Sequence, residues 1–160
     1  MPMPAGRYVA LETAISIVAN TVLVTAVGIL IFGKKHTVDV WAPGGVEFDI
    51  LLQTSTVAFF SSLVPGLLTR RRIRRGRIGR GGAPLVRLPS SLLLQSLLIS
   101  LIAVVLVVPG ATALIEWQAK ASLPLVPFLV FKMILTVIAS AVATPIGLSA
   151  ILAKIPEASG

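Results

Sequence analysis

Four long apolar runs, separated by short polar or basic stretches, dominate the chain: Tyr8 to Phe32, Phe48 to Thr69, Ser90 to Ile115 and Pro124 to Leu152. Inside them Leu, Val, Ile and Ala mix with scattered Ser and Thr, without the period-two alternation of barrel strands. Each run is long enough for a bilayer, which a helix crosses in about 20 residues at 1.5 Å per residue. A helix satisfies its own backbone hydrogen bonds in lipid, whereas four strands could not close a barrel. The pattern therefore predicts an all-α integral membrane four-helix bundle, one domain over residues 1–160, built as two tandem helical hairpins.

Composition sharpens this. Hydrophobic residues make up 56% of the 160 and the mean hydropathy is +0.97. Only 12% are charged, against about 25% in soluble domains, too few to coat a water-exposed globule. A freestanding soluble enzyme is excluded. With no cysteine and one histidine, His36, disulfides, thiolate metal sites and cysteine nucleophiles are also excluded, and no Ser/His/Asp set or phosphate-cradling glycine loop stands out. No enzyme activity, metal or cofactor is expected. The first run is also too long, and too interrupted by Glu12 and Asn20, for a cleaved signal sequence, whose apolar region spans about 7–15 residues.

The net charge of +8 is concentrated. Eight arginines and no acidic residue lie between Arg70 and Arg87, while the rest of the chain is neutral. Basic loops stay cytoplasmic. Arg7, this loop and Lys154 fall on one side, and Lys34, Lys35 and Lys120 on the other, so both termini are expected inside. Trp41 and Trp117 then sit near the outer ends of spans, as interfacial anchors. A short, arginine-rich, cysteine-free chain of this kind points to a bacterial inner membrane. Arg70, Arg71, Arg72, Arg74, Arg75 and Arg77 are expected to rest on anionic lipid headgroups, at about 1 kcal/mol per basic residue. The loop is short, broken by glycine and without aromatic stacking residues, which argues against nucleic acid.

Shifting the chain by 80 residues superposes Phe48 on Phe128, Thr56 on Thr136, Pro65 on Pro145 and Ser16 on Ser96, consistent with duplication of a two-helix unit in parallel orientation.

Polar groups inside a span are costly and are functional candidates by default. Glu12, Ser16 and Asn20 recur every four residues and share one helical stripe. Gln95, Ser96 and Ser100 occupy the corresponding half of the third span. Together these could line a polar path with Glu12 as its only titratable group; alternatively Glu12 sits near the interface and pairs with Arg7 or a loop arginine. A lone acidic residue in the first of four spans resembles, in position only, that of small multidrug-resistance transporters. The chain is longer than theirs, and that similarity would imply Glu12 as a coupling carboxylate.

Asp49 and Gln53 share a face of the second span, and Lys132 lies within reach in the fourth, so an inter-helix ion pair is expected. Ala139, Ala143 and Gly147 form a small-residue stripe beside Thr136, Ser140 and Thr144, either packing within the bundle or forming a dimer face. Pro65, Pro109 and Pro145 are expected near span ends. Two functions follow: a non-enzymatic membrane component or accessory subunit, or a small oligomeric permease. Partners would be lipid and either a second copy or a larger membrane complex.

Overall fold

A computed structural model describes residues 3–76, 78, 85–117 and 121–153. Four helices account for most of them: α1 (Ala5–Phe32), α2 (Val46–Arg74), α3 (Leu92–Trp117) and α4 (Leu125–Leu152). All four are long and apolar enough to cross a membrane. The fold is the all-α bundle the hydropathy pattern predicts.

The principal correction of boundaries concerns α2. Arg70, Arg71, Arg72 and Arg74 are not loop residues; they form the last turns of α2, with Arg75 as its cap. Arginine is a good helix former, and a cation in the last turn is favoured by the negative end of the helix dipole. Glu47 and Asp49 lie in the first turn, so both ends of α2 carry the charge its dipole favours. At 29 residues α2 extends roughly 43 Å, longer than a hydrocarbon core of about 30 Å, so charged turns can project beyond the apolar layer. Arg77, Lys120, Lys154 and the Gly79 to Gly82 stretch lie outside the described residues.

A second correction concerns the prolines. Pro65, Pro109 and Pro145 lie inside α2, α3 and α4, which continue for about two turns beyond each. A buried helix tolerates this where neighbouring hydroxyls take up freed backbone groups. In α2 the carbonyl that Pro65 leaves without its intrahelical donor is that of Ser61; separately, Thr69 Oγ1 bonds back to the Pro65 carbonyl at 2.7 Å.

The loops opposite the arginine end contain short strands the sequence reading missed. β1 (Thr37–Asp39) and β2 (Ser122–Pro124) pair antiparallel, Val38 opposite Leu123. The pairing is extended by Val40 N–H to the Ala121 carbonyl at 2.9 Å and Leu125 N–H to the His36 carbonyl at 3.1 Å. It satisfies loop backbone groups that would otherwise be stranded at the membrane boundary. Val38, Val40 and Leu123 pack with Phe32, Ile50 and Phe128 into one core cluster beneath it. Trp41 and Trp117 are exposed at this ribbon end.

In the membrane-spanning layer α1 leans mainly on α4, α4 also packs on α2, and α2 on α3. The order across the bundle is thus α1, α4, α2, α3. Direct contact between α1 and α2 is sparse, and a groove opens between them. Polarity is distributed inside-out: Leu30, Val22 and Leu106 are exposed, whereas Gln95, Ser96, Thr136, Ser140 and Thr144 are fully buried. That suits a hydrocarbon surround and would be costly in water.

Candidate functional site

The polar side chains within the bundle fall into four groups, three of them along the α1–α2 groove. At the arginine end, Glu12 is buried and accepts a hydrogen bond from Arg72 Nη1, forming an ion pair. The same Nη1 donates to Tyr8 Oη at 3.2 Å, and the guanidinium lies 5.4 Å from the Tyr8 ring centroid. Tyr8 Oη is 2.8 Å from Thr69 Oγ1. Because Thr69 uses its only hydroxyl hydrogen on the Pro65 carbonyl, Tyr8 is the donor in that bond. A chain of donors thus runs from Arg72 through Tyr8 and Thr69 into the backbone at Pro65. Glu12 takes a loop-side arginine, Arg72, and not Arg7, because the extended α2 carries Arg72 to the flank of α1.

At mid-membrane Asn20 is the hub. Its Nδ2 donates to Ser61 Oγ at 2.8 Å, Ser140 Oγ at 3.0 Å and Ser16 Oγ at 3.3 Å, and Ser61 donates to Ser140 at 3.3 Å. Two hydrogens serve three acceptors, so one is shared. The result ties α1, α2 and α4 together at one level.

At the ribbon end, Lys132 is buried on α4, and its Nζ donates to Asp49 Oδ2 on α2. The ammonium lies 5.3 Å from the Phe128 ring centroid and 5.6 Å from that of Phe32, a cation–π environment worth more than at a wet surface. Gly28 packs closely on Leu129: a Cβ there would stand 2.8 Å from Leu129 Cδ2, and at an ordinary 3.6 Å from Lys132 Cε. Gln53 Nε2 bonds the Lys132 carbonyl and Thr136 Oγ1, each at 2.8 Å, while its Oε1 is buried without a partner.

The fourth group lies elsewhere. Gln95 Nε2 donates to the Gly147 carbonyl at 2.8 Å, Ser96 to Ser62 at 3.3 Å and Ser100 to the Ser55 carbonyl at 2.8 Å. These bonds fasten α3 to α2 and α4. The structure therefore brings Glu12, Ser16 and Asn20 together with Asp49, Gln53 and Lys132, and does not bring Gln95, Ser96 or Ser100 to them. Position along the span placed Gln95, Ser96 and Ser100 at the level of Glu12, but did not show that they turn to α2 and α4 and away from α1.

The groove consists of two half-open cavities. The one nearer the arginine end, about 340 Å³, reaches from Glu12 past Ser16 to Asn20. The one nearer the ribbon, about 210 Å³, reaches from Asn20 to Gln53, Asp49 and Lys132. Asn20, Leu23 and Phe60 line both. No group of His, Cys, Asp and Glu able to hold a metal occurs among the described residues.

Ala139, Ala143 and Gly147 are all buried within the chain. A Cβ on Gly147 would meet Ser62 Oγ at 2.6 Å, so this stripe is where α4 closes on α2. The sequence reading missed Tyr8, Thr69, Ser61 and Ser62 as partners. Thr69 and the two serines carried no signal beyond being small and polar in a span.

Fold and polarity define a class, a multi-pass membrane protein of four helices. Comparison adds no narrower identity: no family model, curated protein or solved structure matches the chain.

Proposed function

We propose that the chain is a non-enzymatic component of a bacterial inner membrane, with both termini cytoplasmic, serving as an accessory subunit whose intramembrane polar side chains fasten its helices. The observation that carries this reading is that Glu12 is engaged by Arg72 and is not open toward Gln95. Asp49 is likewise turned on Lys132, and Asn20 on Ser16, Ser61 and Ser140. The excess of positive charge at the arginine end, against Lys34 and Lys35 at the ribbon end, supports the orientation. Exposed apolar faces on α1 and α3 leave surface for a second copy or a larger membrane complex.

One observation favours the second reading, a small permease with Glu12 as coupling carboxylate: a half-open groove does connect Glu12 to Asn20 and on to the Asp49–Lys132 pair. Reconstitution into liposomes separates the two. With a panel of cations and cationic drugs, the fastening role predicts flux no greater than in protein-free vesicles, and the same for Glu12→Gln. Substrate-dependent proton release by the wild type, lost in Glu12→Gln, would replace the reading with transport.

A further inference from the structure

The arginine-end cavity and the last turns of α2 form one continuous feature. Val64, Leu68, Arg71, Arg72 and Arg75 follow the spacing of a single helical stripe, so the apolar lip of the groove passes directly into a basic one. Arg71 and Arg75 are exposed, and among the described residues neither has a carboxylate within ion-pair distance. Arg72 has its side chain 41% exposed beside Glu12.

Above this basic rim the cavity is walled by Ile15 and Ala19 of α1 and by Phe60, Val64 and Leu68 of α2. Most of these side chains are substantially exposed toward the membrane side of the bundle. Its floor is polar in composition but already engaged: Ser16 accepts from Asn20, Asn20 is bonded to two further serines, and Glu12 is bonded to Arg72. An apolar chain could lie on that floor without breaking these bonds. From Glu12 to Leu23 the slot rises roughly 16 Å, close to the half-thickness of a hydrocarbon core of about 30 Å. That is the depth of one leaflet.

We infer that this slot is a binding site for one anionic glycerophospholipid, its phosphate held by Arg71 and Arg75 beside Arg72 and one acyl chain laid between α1 and α2 as far as Phe60. The inference rests on the proposed reading of the chain as a membrane component with its arginine end against an anionic leaflet. It differs from a diffuse basic patch, because the apolar slot and the charges must act together. Arginine suits the role, its guanidinium matching phosphate geometry.

The test uses the full chain, delipidated in detergent and reloaded with phosphatidylglycerol or with phosphatidylcholine of the same acyl chains, the bound lipid being counted per chain by native mass spectrometry. One phosphatidylglycerol per chain is expected, with phosphatidylcholine bound about tenfold more weakly, and with Arg71→Gln/Arg75→Gln losing roughly tenfold for phosphatidylglycerol. Ala19→Phe, which fills the slot and leaves the charge unchanged, should lose it as well. Equal retention of the two lipids, full retention by Ala19→Phe, or a lipid-free dimer closed over the groove would each overturn the site.

Should Ala19→Phe fail to fold, Phe60→Trp keeps the question open to measurement, because Trp41 and Trp117 lie at the far end of the bundle. Bromine at mid-chain in phosphatidylglycerol should quench the indole fluorescence of the Phe60→Trp variant more than in phosphatidylcholine at equal mole fraction, and equal quenching contradicts the site. Either failure leaves the flux result untouched, so the lipid site and the fastening role fall separately.

Discussion

Lys132 shows what a single residue contributes to this bundle. A lysine buried inside a span is expensive, and its cost is offset by Asp49 and two aromatic faces. Removing the lysine alone leaves Asp49 without its cation. Lys132→Met is therefore expected to cost about 3–5 kcal/mol, and Lys132→Met/Asp49→Asn clearly less than the sum of the two single changes. Thermal unfolding in detergent measures this, and additive effects would show that the ion pair does not couple the helices. The residues of this pair were legible in the sequence, since Asp49 and Gln53 share a stripe and Lys132 is one of few charges inside a span. The partner of Glu12 was legible only as a type: several arginines were close in sequence, and the choice of Arg72 depends on how far α2 continues as a helix. The Tyr8–Thr69 link was not legible at all, because it depends on how α1 is set against α2.

Among the elements, α4 joins α1 to α2, meeting one on each side, while α3 rests mainly on α2. Its stripe of Ala139, Ala143 and Gly147 was readable from four-residue spacing, but the pattern could not distinguish a contact within the chain from one between copies, since both demand small residues. At Gly147 an added Cβ would meet not only Ser62 Oγ at 2.6 Å but also Ser62 Cβ at 3.2 Å and Cα at 3.4 Å, so the helices would have to part. Gly147→Ala is expected to lower stability by about 1–3 kcal/mol. Gly110→Ala, in α3 with nothing within 4 Å of the new methyl, should be neutral or stabilising by roughly 0.5–1 kcal/mol, as for glycine in a helix interior. Equal responses at the two positions in the same unfolding assay would contradict the close approach of α4 to α2. The interior prolines carry the same lesson in another form. Local rules place proline at helix ends, but spans packed in a bundle tolerate it within, as α2, α3 and α4 do.

The whole molecule has two unlike ends joined by a polar interior. A ribbon with two exposed tryptophans closes one end, and the arginine turns of α2 with Tyr8 and Glu12 form the other. The apolar runs gave the four helices, but sequence adjacency said nothing of the order α1, α4, α2, α3, which leaves the groove between neighbours in the chain. Sidedness is the claim on which the anionic leaflet, the interfacial tryptophans and the accessory role all depend. It is measured most directly by labelling single cysteines with a membrane-impermeant maleimide in intact cells, against a background free of native cysteine. Ala42, exposed in the ribbon-end loop, is a better outer position than Gly44, whose φ of 73° an L side chain adopts only with strain. Ala42→Cys should be labelled in intact cells and Arg75→Cys only after permeabilisation. Labelling of Arg75→Cys from outside, with Ala42→Cys protected, would contradict the account.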